Sequence, residues 1–487
     1  MRGRMALGLA ALGGLGLAVR RRRAGRDPTA AHVSETEAGY RAAGTRILVL
    51  GAGFGGLSTA LALDRRLPAD TDASILVVDR NNDLLFDPLL WTVAAGRANP
   101  SDVVVPIRAF QRRRRFHVLH AEIERVDLER REVVTSAGSR PYDILVIALG
   151  SVTALPDLPG LRDHALLFHS PADALQLRNH LIDAIEAAHQ TSDPDERREW
   201  LTFVVGGGGD TGIELAATIR AYLDLGLLAA YPWLEDAPPR VVVVGRAERL
   251  VPMSRPRTSA AVRRLLEAEG VEVLTGVSIE GATERAVLTS AGEIPARTLF
   301  WAAGITAPPV ARLIAAGHAR NGALLVDERL RLPDRPEVSV VGDVAWAYEG
   351  GTRQPVPPTA QAAEHEGRYV GQAIAATLRG QAVPPFRFRP LGHLALLGGH
   401  TGVAEIGPLV LSGLPAWLIW HGYYLAHIPA WRNRLHLLSD WLLAGLTGWD
   451  TAQLRLRPPG APLPRHLRAV PAAGAPAALA ADPPPSR

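Results

Sequence analysis

Short apolar runs alternate with stretches of helical periodicity from Ile47 to about residue 380. The runs cover 46–50, 75–79, 143–148, 201–205, 240–244, 271–274, 298–302 and 338–341. They are rich in Val, Ile and Leu and too short for helices, so they predict strands buried on both faces. Strands alternating with helical segments predict β-α-β units and parallel sheets. The segment Pro358 to Leu378 predicts a helix. Residues 381–449 change character, with dense Gly, Trp, Tyr, His and Leu. The stretch 24–43 reads as a polar linker, and the tail 450–487 as a Pro/Ala-rich disordered end.

Two of the predicted strands run straight into glycine loops. Gly51-Ala52-Gly53-Phe54-Gly55-Gly56 follows Ile47 to Leu50, and Gly207-Gly208-Gly209-Asp210-Thr211-Gly212 follows Leu201 to Val205. A strand, a G-x-G-x-x-G loop and a helix together make a dinucleotide fingerprint. Glycine permits the tight turn and the close approach of a pyrophosphate, and the helix start supplies unpaired amides. The halves containing these loops look like a duplication of one nucleotide-binding unit.

The next strand after the first loop ends in Asp79, followed by Arg80. An acid at that place suits a ribose hydroxyl. After the second loop the matching strand ends Gly245-Arg246. Glycine has no side chain to accept from the ribose hydroxyl, and arginine attracts a 2′-phosphate. The expectation is that NADPH is accepted alongside NADH.

Composition removes several alternatives. The chain of 487 residues has no cysteine, so it holds no disulfide, no thiolate metal ligand and no redox dithiol. All 53 basic residues are arginine, the net charge is only +4, and no concentrated basic face points to nucleic acid. The arginine run 112–115 reads as a solvated edge, and the histidines do not form a metal set.

Further segments resemble the two-dinucleotide-binding flavoproteins and, within them, the type II (non-proton-pumping) NADH:quinone oxidoreductases. Asn82 to Trp91 is similar to the family's segment beside the flavin. Trp301 to Ile305 resembles its Trp-Ala-Ala-Gly turn, and Ala360-Gln361-Ala362-Ala363-Glu364-His365 its quinone-site pattern. Gly392 to Gly398, Leu411-Ser412-Gly413 and Arg432-Asn433-Arg434 resemble its C-terminal segments. Departures are Leu84 for His, Leu149 for Thr, His365 for Gln, and Asp210 where Pro or an aromatic is common.

The resemblance implies FAD on Gly51, Gly53, Phe54, Gly55, Gly56, Asp79, Arg80, Pro88, Leu89, Ala148, Gly150, Gly342, Asp343 and Ala360. It puts the nicotinamide cosubstrate, NADH or NADPH, on Gly207, Gly209, Gly212, Arg246, Ala303 and Gly304. Asp343 is expected to accept from the flavin's ribityl chain. Glu214, Gln361 and His365 are the expected catalytic residues, with Gln361 and His365 four apart on one helix face at the flavin edge.

The expected fold is α/β, with two Rossmann-like domains and a C-terminal amphipathic helical region. The FAD domain spans 44–164 and 300–380, the NAD(P)H domain is inserted at 165–299, and 381–449 is the membrane-associated part. Residues 1–43 are expected to be a leader or anchor with a linker, because Met5 to Val19 is apolar and flanked by arginines. Residues 411–446 carry aromatics and basic edges but no span of about 20 apolar residues, which suits a helix lying in the membrane plane. The same stripe suits a homodimer contact or a core helix. The implied enzyme takes hydride from NAD(P)H and reduces a quinone from the cytoplasmic face of the membrane. The rivals are a soluble reductase of a ferredoxin-like partner and a non-catalytic flavin-binding scaffold.

Overall fold

The computed structural model describes residues 38–68, 70–111, 114–349 and 354–454. The expectations for the leader, for Arg112 and Arg113, and for the tail beyond 454 fall outside the described residues. Arg114 and Arg115 both hold the Asp64 carboxylate, at 3.1 and 2.9 Å, along the edge of the first unit.

All eight predicted strands form, and their apolar runs explain why. Ile47 to Leu50 are 0% exposed, because helices or a meander cover both faces of their sheet. The first sheet runs Phe116–His120, Ala73–Asp79, Thr45–Leu50, Ile144–Ile147, Arg335–Val340 in parallel, with Arg331–Leu332 antiparallel at the edge. The second runs Val271–Thr275, Arg240–Gly245, Thr202–Gly206, Thr298–Trp301, Ala165–Leu167, all parallel. Counted from the strand before each glycine loop, the first four strands lie in the same spatial order, 3-2-1-4, in both sheets.

Each sheet also carries an antiparallel meander between its third and fourth strands. One is Ile123–Asp127, Glu132–Thr135 and Gly138–Pro141; the other is Ile279–Ala282, Ala286–Thr289 and Gly292–Pro295. Their turns match atom for atom. Thr135 donates to the Gly138 carbonyl at 2.7 Å, and Thr289 to the Gly292 carbonyl at 2.6 Å. The duplication read from the glycine loops therefore extends through both units. The chain leaves the first sheet and returns to it along the paired strands Val152–Thr153 and Ile305–Thr306.

Helices Phe54–Arg66 and Ala360–Thr377 cross in near backbone contact. A Cβ on Gly367 would stand 2.1 Å from the Gly55 carbonyl oxygen, and one on Gly371 would stand 2.6 Å from that of Thr59. Small residues at both positions set this distance.

The C-terminal region forms a meander, His393–Leu396, Gly402–Ile406 and Leu409–Ser412, then helices Leu414–His427 and Trp431–Thr447. Asn433 ties the last helix to the first unit, its amide facing the carbonyls of Ser101, Asp102 and Val104 at 2.9–3.1 Å. No helix among the described residues is long and apolar enough to cross a membrane.

The expectation of an exposed aromatic belt is corrected here. Trp420 is 0% exposed and packs on Trp91 and Tyr424, at 5.2 and 4.6 Å between ring centroids. Trp431 stays outside at 67% exposed, and leucines supply the rest of the outer face. Leu435, Leu438, Leu442 and Leu446 fall three or four apart and form one stripe.

Candidate active site

The first glycine loop is built by exclusion. Gly51 turns at φ 99°, and a Cβ there would lie 2.2 Å from the Ala148 carbonyl oxygen. A Cβ on Gly56 would lie 1.9 Å from the Gly51 carbonyl oxygen. Side chains are impossible at both. Gly53 has no atom within 4 Å of its Cβ position, so the space beside the start of helix Phe54–Arg66 is open. Those first amides have no side-chain cap, and they suit a pyrophosphate. Asp79 closes the loop: its carboxylate accepts the Ala52 amide at 2.6 Å and the Asn81 amide at 2.7 Å. Burial raises its pKa, and the two amides oppose that rise.

The second loop repeats this plan. Gly207 has φ 140°, with a would-be Cβ 2.6 Å from the Ala302 carbonyl oxygen. Gly212 would meet the Gly207 carbonyl at 1.9 Å, and Gly209 is open. The Gly51 amide donates to Val78 at 2.8 Å and the Gly207 amide to Val244 at 2.8 Å. Asp79 therefore corresponds to Gly245, and Arg80 to Arg246. Gly245 lies against Gly208, where a Cβ would approach its Cα at 3.3 Å.

One cleft of about 1400 Å³ joins the two loops. It exceeds the roughly 300–1,000 Å³ usual for a single ligand, as a site for two nucleotides must. Gly51, Gly53, Phe54, Gly55, Asp79, Arg80, Pro88, Ala148, Gly150, Gly209, Glu214, Gly304, Gly342, Asp343, Ala360 and Gln361 all line it. Gly56, Gly207 and Gly212 lie behind the wall and act by permitting the loops. Leu89 is 0% exposed in the core.

Besides Leu89, three expectations are not met by the geometry. Arg246 is exposed and off the cleft wall. Ala303 also stands behind the wall, where Ala302 takes its place. His365 does not line the cleft; its ring lies edge-on to Phe388 at 5.7 Å, and burial lowers its pKa. At about 100° per residue His365 stands about 40° to one side of Gln361 and Glu364 about 60° to the other, and it is the Glu364 side that faces the cleft. Glu364, three after Gln361, is the one that reaches the cleft.

Carboxyls in the wall hold protons easily. Glu214 accepts the Leu396 amide at 3.0 Å, yet burial pushes its pKa up to about 8. The Asp343 carboxylate accepts from the Ser151 hydroxyl at 2.7 Å. Asp87 lines the cleft with its surface exposed there, and desolvation by the surrounding wall together with the Asp343 charge lifts its pKa to about 7. Glu366 lies buried behind the wall, where it accepts the Gly342 amide at 2.5 Å and burial pushes its pKa up to about 8. The sequence reasoning missed Asp87 and Glu366 as acids of the site. Their placement depends on the fold. It also missed Tyr423 and Tyr424, which line the cleft rather than the outer surface. Asp210 pairs with His393 at 2.6 Å, which ties the C-terminal meander to the second loop.

The residues present fit a flavin and a nicotinamide nucleotide. Each loop offers free helix amides beside a glycine with open space, and Asp79 and Asp343 offer acceptors at two places along the first unit. Two nucleotide units sharing one cleft define a flavin- and pyridine-nucleotide-dependent oxidoreductase. The pyridine nucleotide-disulphide oxidoreductase family matches residues 45–367, and the NDH2 C-terminal domain matches 391–450. The type II NADH:quinone oxidoreductase NdhA of Mycobacterium tuberculosis is 31% identical over 415 residues, covering 81% of this chain and 86% of that one. The demethylphylloquinone reductase NdbB of Synechocystis is 29% identical over 414 residues, covering 83% and 97%. NDH2 from Plasmodium falciparum, solved with NADH, shares the fold at a TM-score of 0.74 and 19% identity, covering 83% and 99%. The chain belongs to the type II NADH:quinone oxidoreductase family.

Proposed function

We propose that this chain binds FAD at the first loop, takes hydride from NADH held at the second, and delivers two electrons to a membrane quinone without pumping protons. The observation that carries this reading is the single cleft running from both glycine loops to Tyr423, Tyr424 and His427 of the C-terminal helix. Bound flavin supplies the two-electron chemistry, so the protein needs no nucleophile of its own. Asp79 and Asp343 hold the flavin nucleotide, and Gly207, Gly209 and Gly212 admit the nicotinamide nucleotide. Glu214, protonated near neutral pH, keeps a proton at the second loop. Gln361 and Glu364 line the acceptor end, and Gln361 is fixed there by the Leu391 amide at 3.1 Å.

The outer leucine stripe supports peripheral attachment to the cytoplasmic face of the cell membrane, with residues 5–19 as a further anchor. Leu446, at 83% exposed, has no covering chain among the described residues. The site division proposed is FAD on 44–164 and 300–380, nicotinamide on 165–299, and membrane contact through 411–446.

Purified FAD-loaded protein should oxidise NADH only when a short-chain quinone is present, one quinol per NADH. Retained flavin without quinone-dependent oxidation would overturn the enzyme reading and favour a scaffold. Leu442→Glu with Leu446→Glu should release the protein from vesicles without touching buried Trp420. Unchanged vesicle binding with loss of a dimer would assign the stripe to a second copy instead.

A further inference from the structure

A second, smaller cavity of about 310 Å³ lies apart from the cleft, between the Gly96–Pro100 turn and the end of the last helix. Two arginines line it and both are deeply buried: Arg97 is 8% exposed and Arg178 3%. Two carboxylates, Asp440 and Asp450, line it as well, and neither pairs with Arg97. Arg178 pairs with Asp450 through one nitrogen at 3.2 Å, and its Nε and second Nη have no partner. Arg97 has no carboxylate partner among the described residues. Its Nε is unbonded, and one face of the guanidinium covers Trp449 at 5.2 Å. Buried polar groups are nearly always bonded, and a buried unpaired cation is costly. Burial draws the Arg97 pKa down to about 10, so it is still a cation at neutral pH. Asp440 stands on the rim, but its carboxyl already accepts from Asn99 at 2.9 Å and shares its surroundings with Asp102.

The cavity also has an apolar lip. Leu443, 56% exposed, and Leu454, 41% exposed, line it beside the outer leucine stripe. A charged hollow under an apolar face matches the depth at which lipid headgroups lie. Guanidinium forks bind phosphate through paired N–H groups.

We propose that this cavity is a phosphate-recognising site, and that Arg97 and Arg178 take the headgroup phosphate of an anionic phospholipid. The inference rests on the membrane reading above for its source of phosphate, though not for its chemistry.

The test uses the full-length FAD-loaded protein at about 0.15 M salt, where long-range attraction is screened. Vesicles of phosphatidylcholine alone are compared with vesicles containing phosphatidylglycerol. Wild type should bind the anionic vesicles about tenfold more tightly, the scale of one or two charge-assisted hydrogen bonds. Arg97→Gln should lose most of that preference while keeping binding to neutral vesicles and quinone-dependent NADH oxidation. Arg432→Gln, which removes the same charge from an exposed position, should keep the preference to within about twofold. Equal losses in Arg97→Gln and Arg432→Gln would overturn the site, since general attraction then explains everything. Binding to neither vesicle would sink the membrane reading and the lipid source together. In that case glycerol phosphate should still raise the melting temperature of wild type and not of Arg97→Gln if the site takes free phosphate. No rise in either protein would remove the phosphate site altogether.

Discussion

The two glycine loops share one backbone and differ in what surrounds it. In both, the sixth-position glycine would meet the first at 1.9 Å, and the third position stands open. Three differences separate them. Asp79 has become Gly245. Ser58, on the first helix, has become Glu214 on the second. The first helix is sealed by helix Ala360–Thr377 in near backbone contact, whereas Glu214 of the second accepts the Leu396 amide of the C-terminal meander. A nucleotide in the first loop meets a fixed acid inside a closed helix pair. One in the second meets an open wall and a protonated carboxyl. The first suits a cofactor that stays, the second a cosubstrate that leaves.

The largest effects should come from the glycines both loops share. Gly56→Ala and Gly212→Ala each drive a methyl into a carbonyl, and overpacking of this kind costs about 1–3 kcal/mol or more, roughly ten- to a hundredfold or greater. Gly56→Ala should purify without FAD. Gly212→Ala should purify with full flavin but a KM for NADH raised by that factor, as flavin absorbance and steady-state rates will show. Flavin loss in both would erase the distinction between resident and diffusible nucleotide.

Asp79→Ala is expected to be next, weakening FAD about ten- to a hundredfold, the usual range for hydrogen bonds to a charged group. The reciprocal change, Gly245→Asp, must fit its Cβ 3.3 Å from Gly208 and should move selectivity toward NADH by about tenfold. Titration of apoprotein with FAD checks the first, and the ratio of kcat/KM for the two nicotinamides checks the second.

Glu214 gives a pH readout that Ser58 cannot. Its folded pKa of about 8 lies above the ordinary 4.5, so the folded chain holds the proton more tightly than the unfolded one. That share of stability is complete below about pH 4.5 and is lost as pH rises through 8. Glu214→Gln should therefore lose less melting temperature than wild type between pH 5 and 9. A parallel decline in both proteins would place the titration on Asp87 or Glu366 instead.

The parts of this comparison readable from sequence were those that backbone sterics dictate. Apolar runs gave eight strands, and the strand–glycine–helix order gave both loops. Phe116–His120 escaped because His117 and His120 break its apolar run and arginines precede it. The meanders are too short, at four or five residues each, to show a period. Tryptophan suits cores and membrane interfaces alike, so the packing of Trp420 inside the core and of Trp441 against it is legible only in the fold. Whether Gln361, Glu364 or His365 meets the cleft depends on a helix rotation that only Gly367 and Gly371, packed on the first helix, fix.

Arg246 should produce the smallest effect, and it tests the last open difference between the loops. Its sequence position, one after the missing acid, favoured a 2′-phosphate. In the fold its side chain is exposed, has no partner among the described residues and stands off the cleft wall. An exposed ion pair is worth about 0.2–1 kcal/mol, below roughly fivefold. Arg246→Ala should then lower kcat/KM for NADPH by less than about fivefold and leave NADH unchanged, with the loss shrinking as salt rises. That outcome would mean that any use of NADPH rests on Gly245 not rejecting its phosphate, with no built pocket attracting it. A hundredfold loss confined to NADPH would mean that Arg246 swings onto the phosphate when the nucleotide binds, and the second loop would then carry a specificity of its own.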